Sequence, residues 1–330
     1  MGSFEPECVR NSKGDAMDLW RAVTADFLFH PWRVEFVFLP ALGLATAVSQ
    51  IALLKKYGLR LRKSLGQHIL TDDNVAGKIT DALELQGNEG VIEIGPGLGA
   101  LTLRLAPRAK RVVAIEIDRR FASTLRGELE AADRADNVEI VEDNILKVDL
   151  AGITRTHRDV ATWKLVGNLP YYITTAILIM LVEARDQFSS VIVTVQEEFA
   201  KRLVAAPGSK DYSSLSIYVQ YRFKPEILFT VKPTSFFPRP DVRSAVVRLK
   251  VLDRSDLRIE DEGLFFQTIR AAFGQRRKTL RRSLRQIPGL TPDIIGELDR
   301  TSGVGLDNRP EDLSIGDFAK LSNAIKEIVG

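Results

Sequence analysis

The apolar positions between residues 91 and 195 form short runs that are separated by amphipathic segments. Short runs that end at glycine, acidic or amide residues predict buried strands, and apolar positions that recur every three or four residues predict helices. The predicted strands lie at 91–94, 112–115, 138–141, 164–166 and 191–195. Strands that alternate with helices in this order predict an α/β fold with a doubly wound parallel sheet.

The pattern changes after residue 226. Two further apolar runs, at 227–231 and 245–249, enclose a loop that contains Pro233, Pro238 and Pro240. Because this loop is too short for a helical crossover, the two runs are predicted to pair antiparallel. From residue 261 onward helical patterns dominate. We therefore divide the chain into an N-terminal extension of unassigned role at 1–54, an α/β domain at 55–250 and a small helical domain at 251–330.

The N-terminal extension contains an uncharged run at 36–54 that is just long enough to span a bilayer. Pro40 and Gly43 interrupt this run. A docked helix, or sequence translated upstream of the true start, is therefore the simpler interpretation, and no membrane contact is expected. Acidic residues before position 27 argue against a secretory or mitochondrial leader, so the expected location is the cytoplasm. We expect a protein that begins at Lys55 to fold.

Composition excludes several kinds of site. The chain of 330 residues has one cysteine and three scattered histidines, so we predict no internal disulfide and no metal centre. The formal net charge of +3 is too small to identify a nucleic-acid-binding protein by itself. Local clusters of charge therefore have to be considered one by one.

Polar or glycine residues stand where four of the predicted strands end. They are the glycine-rich turn at 95–99, Glu116, Asp143 and Asn168. Ligands of doubly wound sheets bind at these carboxyl ends, with an acidic residue after the second strand accepting hydrogen bonds from ribose hydroxyls. The glycine spacing differs from the dinucleotide pattern, which disfavours an NAD oxidoreductase and favours S-adenosylmethionine, an adenosine cofactor without phosphates. Asp143 is a candidate acceptor for the adenine N6 amine.

The stretch from Asn168 through Leu169 and Pro170 to Tyr171 suits a second adenine. Proline fixes its own φ and holds the preceding residue extended, which orients the neighbouring carbonyls. Asn168 adds an amide that contains an acceptor, and Tyr171 adds an aromatic face. In-plane acceptors on Asn168 and on the Leu169 or Pro170 carbonyl can bind an exocyclic NH2 group while Tyr171 stacks on the ring. Phe236 is the second aromatic candidate, for the opposite face of the base.

Six motifs together identify a family. In chain order they read LGQHIL at 65–70, EIGPGLG at 93–99, NLPYYITT at 168–175, FFPRPDVRSAV at 236–246, AFGQRRKTL at 272–280 and RPEDLS at 309–314. The chain from about residue 55 onward resembles the ribosomal RNA adenine N6-dimethyltransferases, and it resembles the small-subunit enzymes more than the 23S antibiotic-resistance methylases. His68 stands at a position that is often asparagine in this family.

The resemblance implies a class I methyltransferase fold with a seven-stranded sheet and one antiparallel strand. It implies that S-adenosylmethionine is bound by residues His68, Leu70, Gly95, Glu116, Asp143 and Asn168. The implied substrate is a pair of adjacent adenines near the 3′ end of small-subunit rRNA in a pre-ribosomal particle, each dimethylated at N6. Two alternatives stay open: a 23S rRNA adenine methylase, and an RNA-binding ribosome-assembly factor without catalysis.

A basic run follows the helical pattern that starts at residue 261. Its members are Arg270, Arg276, Arg277, Lys278, Arg281, Arg282 and Arg285, with no acidic residue between them. At helical spacing these cations would cover most of one helix and repel one another, so we predict phosphate contacts with RNA at Arg276, Arg277, Lys278, Arg281 and Arg282. We expect a monomer with no obligatory protein partner.

Overall fold

A computed structural model describes residues 49–252, 257–275 and 278–329. The strands in these ranges are β1 Ile69–Leu70, β2 Gly90–Ile94, β3 Arg111–Ile115, β4 Val138–Val141, β5 Trp163–Asn168, β6 Ser190–Gln196, β7 Phe223–Val231, β8 Phe236–Phe237 and β9 Ser244–Val251. Seven of them form one sheet in the order β4-β3-β2-β5-β6-β9-β7, while β1 pairs with β8. The predicted α/β class and all seven predicted strands are confirmed.

The sheet is mixed in the way that the loop between 231 and 245 predicts. Strands β4, β3, β2, β5 and β6 run parallel to one another. Strand β9 runs antiparallel to both β6 and β7, so it is the one antiparallel strand of the seven. This arrangement is the sheet of a class I methyltransferase, as the resemblance implies.

Helices cover both faces of the sheet and continue beyond it. They are α1 Gln50–Lys56, α2 Asp73–Asp81, α3 Thr102–Leu105, α4 Arg119–Ala131, α5 Leu150–Thr156, α6 Thr174–Glu183, α7 Glu197–Val204, α8 Ser214–Arg222, α9 Glu262–Phe273, α10 Leu280–Ser283, α11 Pro292–Thr301 and α12 Ile315–Val329. None of the helices in the described ranges is long and apolar enough to cross a membrane. The expectations for residues 1–48, including most of the uncharged run, lie outside those ranges.

Alternate residues of the central strands enter two different apolar clusters. Ile92 and Leu165 pack with α6 on one face of the sheet. Val91 and Val166 pack on the other face with α2 and with Phe236 of β8. Because both faces are buried, each central strand is apolar at nearly every position, which is why the strands appear in the sequence as continuous apolar runs.

Helix α1 crosses the boundary that we drew at residue 54. Leu53 and Leu54 are buried, and they pack against Ile69, Leu98 and Phe121. Leu98 belongs to the glycine-rich turn and Phe121 to α4, so this first helix supports the elements that surround the end of β2. A protein that begins at Lys55 lacks Leu53 and Leu54, so it is expected to be less stable than the sequence alone predicts.

The C-terminal helices share their core with part of the α/β region. Phe265, Leu298 and Phe318, from α9, α11 and α12, cluster with Ile217 and Tyr221 of α8. The apolar cluster therefore extends across the boundary at residue 250. The helical region is joined to the sheet through α8, which also contributes Val219 to the cluster beneath the sheet.

Candidate active site

The carboxyl ends of β2, β3, β4 and β5 open into one pocket. It contains about 1030 Å³ of empty space, counting the solvent at its mouth, and its lining includes Gly95, Glu116, Asp143 and Asn168. These are the four residues at which the predicted strands end. The parallel register of the strands is what brings these four positions together from across 74 residues of sequence.

The glycine-rich turn depends on backbone conformations that other residues rarely adopt. Gly95, Gly97 and Gly99 have φ angles of 66°, 59° and 88°. A Cβ on Gly99 would lie 2.6 Å from Leu125 Cδ1 of α4, whereas a Cβ on Gly97 would meet no atom within 4 Å. Gly99 is thus required for packing, while Gly97 keeps a surface of the pocket free of side chains for a ligand.

Glu116 is fixed by the backbone around it. The side chain accepts N–H hydrogen bonds from Gly97 at 3.0 Å and from Asp118 at 2.9 Å, one on each carboxylate oxygen. Its residue is 4% exposed, and this burial raises the pKa of the carboxyl. Each oxygen can accept a further hydrogen bond. The predicted role as acceptor for ribose hydroxyls fits this geometry.

A second carboxyl, Glu93, lies beneath the turn. It is 1% exposed and accepts a hydrogen bond from Thr102 Oγ1 at 2.7 Å. Burial, together with the nearby charge of Glu116, raises the pKa of Glu93 to about 8. Glu93 is therefore largely protonated at neutral pH in this structure.

The segment before α2 forms another wall of the pocket. His68 Nδ1 lies 2.7 Å from the carbonyl oxygen of Pro238, to which it donates, and Leu70 pairs with Phe236 through the β1–β8 ladder. Both His68 and Leu70 line the pocket. Because Nδ1 is the donor, Nε2 is the nitrogen left for other contacts when the ring is neutral.

Asn168 connects this wall to the end of β5. Its Nδ2 donates to the backbone carbonyl of His68 at 2.9 Å. Within the described ranges, Oδ1 has no hydrogen-bond partner, so the amide presents an acceptor in a pocket-lining position. The Pro170 carbonyl already accepts from the Ile173 N–H and from the Thr174 hydroxyl. Of the two carbonyls that we predicted, this leaves the Leu169 carbonyl as the better second acceptor.

Tyr171 is held at two ends. Its ring stacks on the ring of His68 with centroids 5.7 Å apart and an interplanar angle of 26°. Its hydroxyl lies 2.7 Å from the hydroxyl of Ser244, the first residue of β9. Burial raises the pKa of Tyr171, so its hydroxyl stays protonated across the physiological range. No local sequence pattern indicates the Ser244 contact, because the two residues are 73 positions apart.

Phe236 occupies a different place from the one that we predicted. It is 3% exposed and packs in the cluster with Leu70 and Val166, and it does not belong to the residues that line the pocket. The structure thus brings Asn168, Leu169, Pro170 and Tyr171 together and leaves Phe236 in the core, where it supports Leu70.

One further contact was missed because its partners are distant in sequence. Gln67 Nε2 donates to Asp118 Oδ2 at 3.2 Å, and Gln67 Oε1 accepts the N–H of Arg62 at 2.7 Å. Arg120, foremost, and Gln67 lower the pKa of Asp118 to about 2. This network attaches the segment before β1 to the start of α4.

The basic run has a different structure from the single helix that we predicted. Helix α9 ends at Phe273, and α10 starts at Leu280 with Lys278 and Thr279 outside any helix. Arg281 donates to Asp299 at 2.5 Å and to Asp307 at 2.9 Å, so it does have counter-charges, supplied from farther along the chain. Lys278 and Arg282 are exposed and form no ion pair within the described ranges. Arg276 and Arg277 lie outside those ranges.

The charges of the pocket select its ligand. Among the described residues that line it, Glu116 and Asp143 supply the negative charge, Glu93 is largely protonated, and none is lysine or arginine. This lining disfavours phosphate groups and suits a nucleoside that carries positive charge, which S-adenosylmethionine does through its sulfonium and ammonium groups. The sheet, the glycine-rich turn and this acidic pocket define a class I methyltransferase that depends on S-adenosylmethionine.

Comparisons with known proteins identify the family. The family model described as ribosomal RNA adenine dimethylase matches residues 58–327, and the chain belongs to this family. It is 44% identical over 286 residues to the Ribosomal RNA small subunit methyltransferase A of Geobacillus thermodenitrificans, covering 86% of this chain and 97% of the relative.

Two solved structures are similar over most of their length. A dimethyladenosine transferase from Plasmodium falciparum has a TM-score of 0.65 at 26% identity, covering 78% of this chain and 98% of that protein. The 23S rRNA methyltransferase ErmE has a TM-score of 0.59 at 25% identity, covering 78% of this chain and 99% of that protein.

Proposed function

We propose that this protein transfers methyl groups from S-adenosylmethionine to N6 of two adjacent adenines near the 3′ end of small-subunit rRNA, and so contributes to ribosome biogenesis. The 44% identity to a small-subunit methyltransferase over nearly that protein's whole length supports this substrate over 23S rRNA. The observation that carries the catalytic assignment is the orientation of Asn168, whose amide nitrogen is engaged by the His68 carbonyl while Oδ1 stays available.

The proposed reaction depends on how the chain binds and orients the adenine N6 amine. Its lone pair is delocalised into the ring, which makes the nitrogen a poor nucleophile. Asn168 Oδ1 and the Leu169 carbonyl accept the two N–H hydrogens and favour a nitrogen whose lone pair is directed at the methyl donor. Such fixed acceptors act by positioning and by electrostatic stabilisation of the transition state.

The other pocket residues hold the two reactants. S-adenosylmethionine, when bound, supplies an activated methyl group on its sulfonium. His68, Leu70, Gly95, Glu116 and Asp143 would hold this cofactor, with Glu116 at the ribose. Tyr171 stacks on the target base, which has to leave its own stack to reach the pocket. No dedicated general base is needed, because the nitrogen releases its proton to solvent after the methyl group has been transferred.

The rest of the chain is assigned by charge and location. We assign the α/β domain at 55–250 to the cofactor and target base, and the helical domain at 251–330 to RNA phosphates, through Lys278 and Arg282 and through Arg276, Arg277 and Arg281. The extension at 1–54 includes part of α1 and otherwise has no assigned role. A cytoplasmic monomer acting on a pre-ribosomal particle is the arrangement that we expect.

The test is to map methylated adenines in rRNA from cells with and without the protein. Loss of two adjacent dimethyladenines near the 3′ end of small-subunit rRNA is the expected result. A lost modification in 23S rRNA would favour the alternative methylase. Unchanged modification together with defective small-subunit assembly would favour the non-catalytic role.

A further inference from the structure

Tyr172 is unusual among the apolar and aromatic side chains at the pocket. It is 59% exposed, the largest exposure of any large hydrophobic residue in the described ranges, and yet it lines the pocket. It follows Tyr171 directly in the short 3-10 helix Tyr171–Ile173. Neighbouring side chains in such a helix point about 120° apart, so Tyr171 reaches inward to Ser244 while Tyr172 faces the mouth of the pocket.

The ring of Tyr172 is supported by the backbone of Gly66. A Cβ at position 66 would lie 3.0 Å from Cδ1 and 3.3 Å from Cε1 of the Tyr172 ring. Gly66 also has a φ of 58°, a conformation that favours glycine. The glycine therefore lets the ring lie against the main chain, which restricts the ring while leaving most of it in solvent.

Basic residues directly precede this support. Lys63 is exposed and forms no ion pair within the described part of the chain, and its carbonyl accepts the N–H of Gly66 at 3.0 Å. Arg62 is also exposed, and its ion pair with Asp118 is long, at 3.9 Å. An exposed aromatic ring together with cationic side chains is the combination with which proteins bind unpaired nucleotides.

We propose that Tyr172 is a stacking platform for the nucleotide next to the target adenine. The inference rests on the proposed function, in which two neighbouring adenines are modified. When one of them enters the pocket, the base beside it loses a stacking partner. Tyr172 stands at the mouth of the pocket, directly after Tyr171, and supplies an aromatic face to replace that partner. Lys63 and Arg62 contact the phosphates on either side of the stacked base.

The experiment measures binding of a small-subunit rRNA hairpin that carries the two adjacent adenines, with cofactor present. Tyr172→Ala is expected to weaken binding roughly 5- to 150-fold, the range for one base stacked on an aromatic ring. Tyr172→Phe, which keeps the ring, is expected to bind like the parent, and Tyr172→Leu, which keeps only apolar surface, to bind like Tyr172→Ala. Cofactor affinity and thermal stability should not change.

Abasic variants of the hairpin test the stacking contact of Tyr172 separately from other RNA contacts. Two further hairpins are used, in which an abasic nucleotide replaces the neighbour of the target adenine on its 5′ side or on its 3′ side. On one of the two, the parent and Tyr172→Ala are expected to bind equally, because the stacked base is gone. An equal loss with intact and both abasic hairpins, or full binding by Tyr172→Leu, would overturn the proposal.

The outcome can be separated from that of the proposed function. If the parent methylates neither the hairpin nor small-subunit particles from cells that lack the protein, the proposed substrate is wrong. If the parent binds and methylates the hairpin and Tyr172→Ala matches it on every hairpin, then the platform alone is wrong. In the parent, 2-aminopurine at the neighbouring position should lose fluorescence on binding, and Tyr172→Ala should abolish this loss. Fluorescence that falls equally in both proteins would also contradict the proposal.

Discussion

The hydroxyl of Tyr171 lies 2.7 Å from the hydroxyl of Ser244, and this contact joins the end of β5 to the start of β9. Strand β9 is the antiparallel strand of the sheet and pairs with β6 beside β5. The contact fixes the tyrosine at its far end, while the His68 ring restricts its face. The ring that we assign to the target base is thus oriented from two directions.

Removing that hydroxyl contact is expected to slow methyl transfer modestly. Tyr171→Phe and Ser244→Ala should each raise the activation free energy of single-turnover transfer by about 0.5–1.5 kcal/mol, the usual net value of one hydrogen bond. Combining them should cost little more, because both remove the same contact. Tyr171→Ala should cost an additional amount in RNA binding, about 1–3 kcal/mol for a lost stacking surface. Full additivity of the two mild variants would show that Ser244 acts independently of Tyr171.

Asn168→Ala is expected to reduce the rate of methyl transfer about 100- to 1,000-fold, since a preorganised acceptor in the transition state is lost. Asn168→Asp is the informative companion variant. It keeps an acceptor but places a second carboxylate oxygen against the His68 carbonyl, so it should not restore the rate. Calorimetry and thermal melts confirm that each variant is folded and binds cofactor. Near-parental transfer by such a folded Asn168→Ala protein would refute the assigned role.

The ion pairs of Arg281 separate it from its basic neighbours. Lys278→Gln and Arg282→Gln should each reduce the salt dependence of RNA binding by about one unit of log–log slope. Arg281→Gln should change this slope less and should lower the melting temperature, because Asp299 and Asp307 lose their partner. The triple replacement of Arg276, Arg277 and Lys278 by Gln should reduce the slope most. If every variant showed the same salt-dependence slope as the parent, these residues would not contact RNA phosphates.

The raised pKa of Glu93 predicts a pH-dependent stability. The folded protein holds this proton up to about pH 8, whereas the unfolded chain releases it near the ordinary value of 4.5. The contribution of Glu93 to the free energy of unfolding is therefore fully present below pH 4.5. It is lost as the pH rises toward 8, by about 1.4 kcal/mol per pH unit in between. Denaturant unfolding of the parent and of Glu93→Gln at several pH values measures this, and a constant difference between the two proteins would contradict it.

Deleting residues 1–54 is expected to destabilise the fold. The deletion removes Leu53 and Leu54, and each buried leucine contributes roughly 1.5–3 kcal/mol. A protein that starts at residue 49 keeps α1 and is the matched control. Thermal melts of the two truncated proteins, with and without cofactor, make the comparison. Equal melting temperatures would show that α1 is dispensable.

The sequence was sufficient for the sheet because its strands are buried on both faces, which makes them continuous apolar runs such as 191–195. It also located Glu116 and Asn168, since parallel strands place their carboxyl ends at one edge of a sheet. Other features depend on distant pairs. Asp299 is 18 positions from Arg281, and Ser244 is 73 positions from Tyr171. Phe236 pairs with Leu70, which is still farther away in sequence, and its burial depends on which of two adjacent phenylalanines faces inward. Local pattern does not contain that information.

The acidic lining of the pocket has a consequence for competition inside a cell. Many abundant molecules carry an adenosine group, and most of them, including ATP, also carry several negative charges. Glu116 and Asp143 at the end of the sheet repel such nucleotides, while the adenosine shape alone would admit them. Selectivity among adenosine compounds therefore comes in part from a charge mismatch, and raising the nucleotide concentration should inhibit this methyltransferase only weakly.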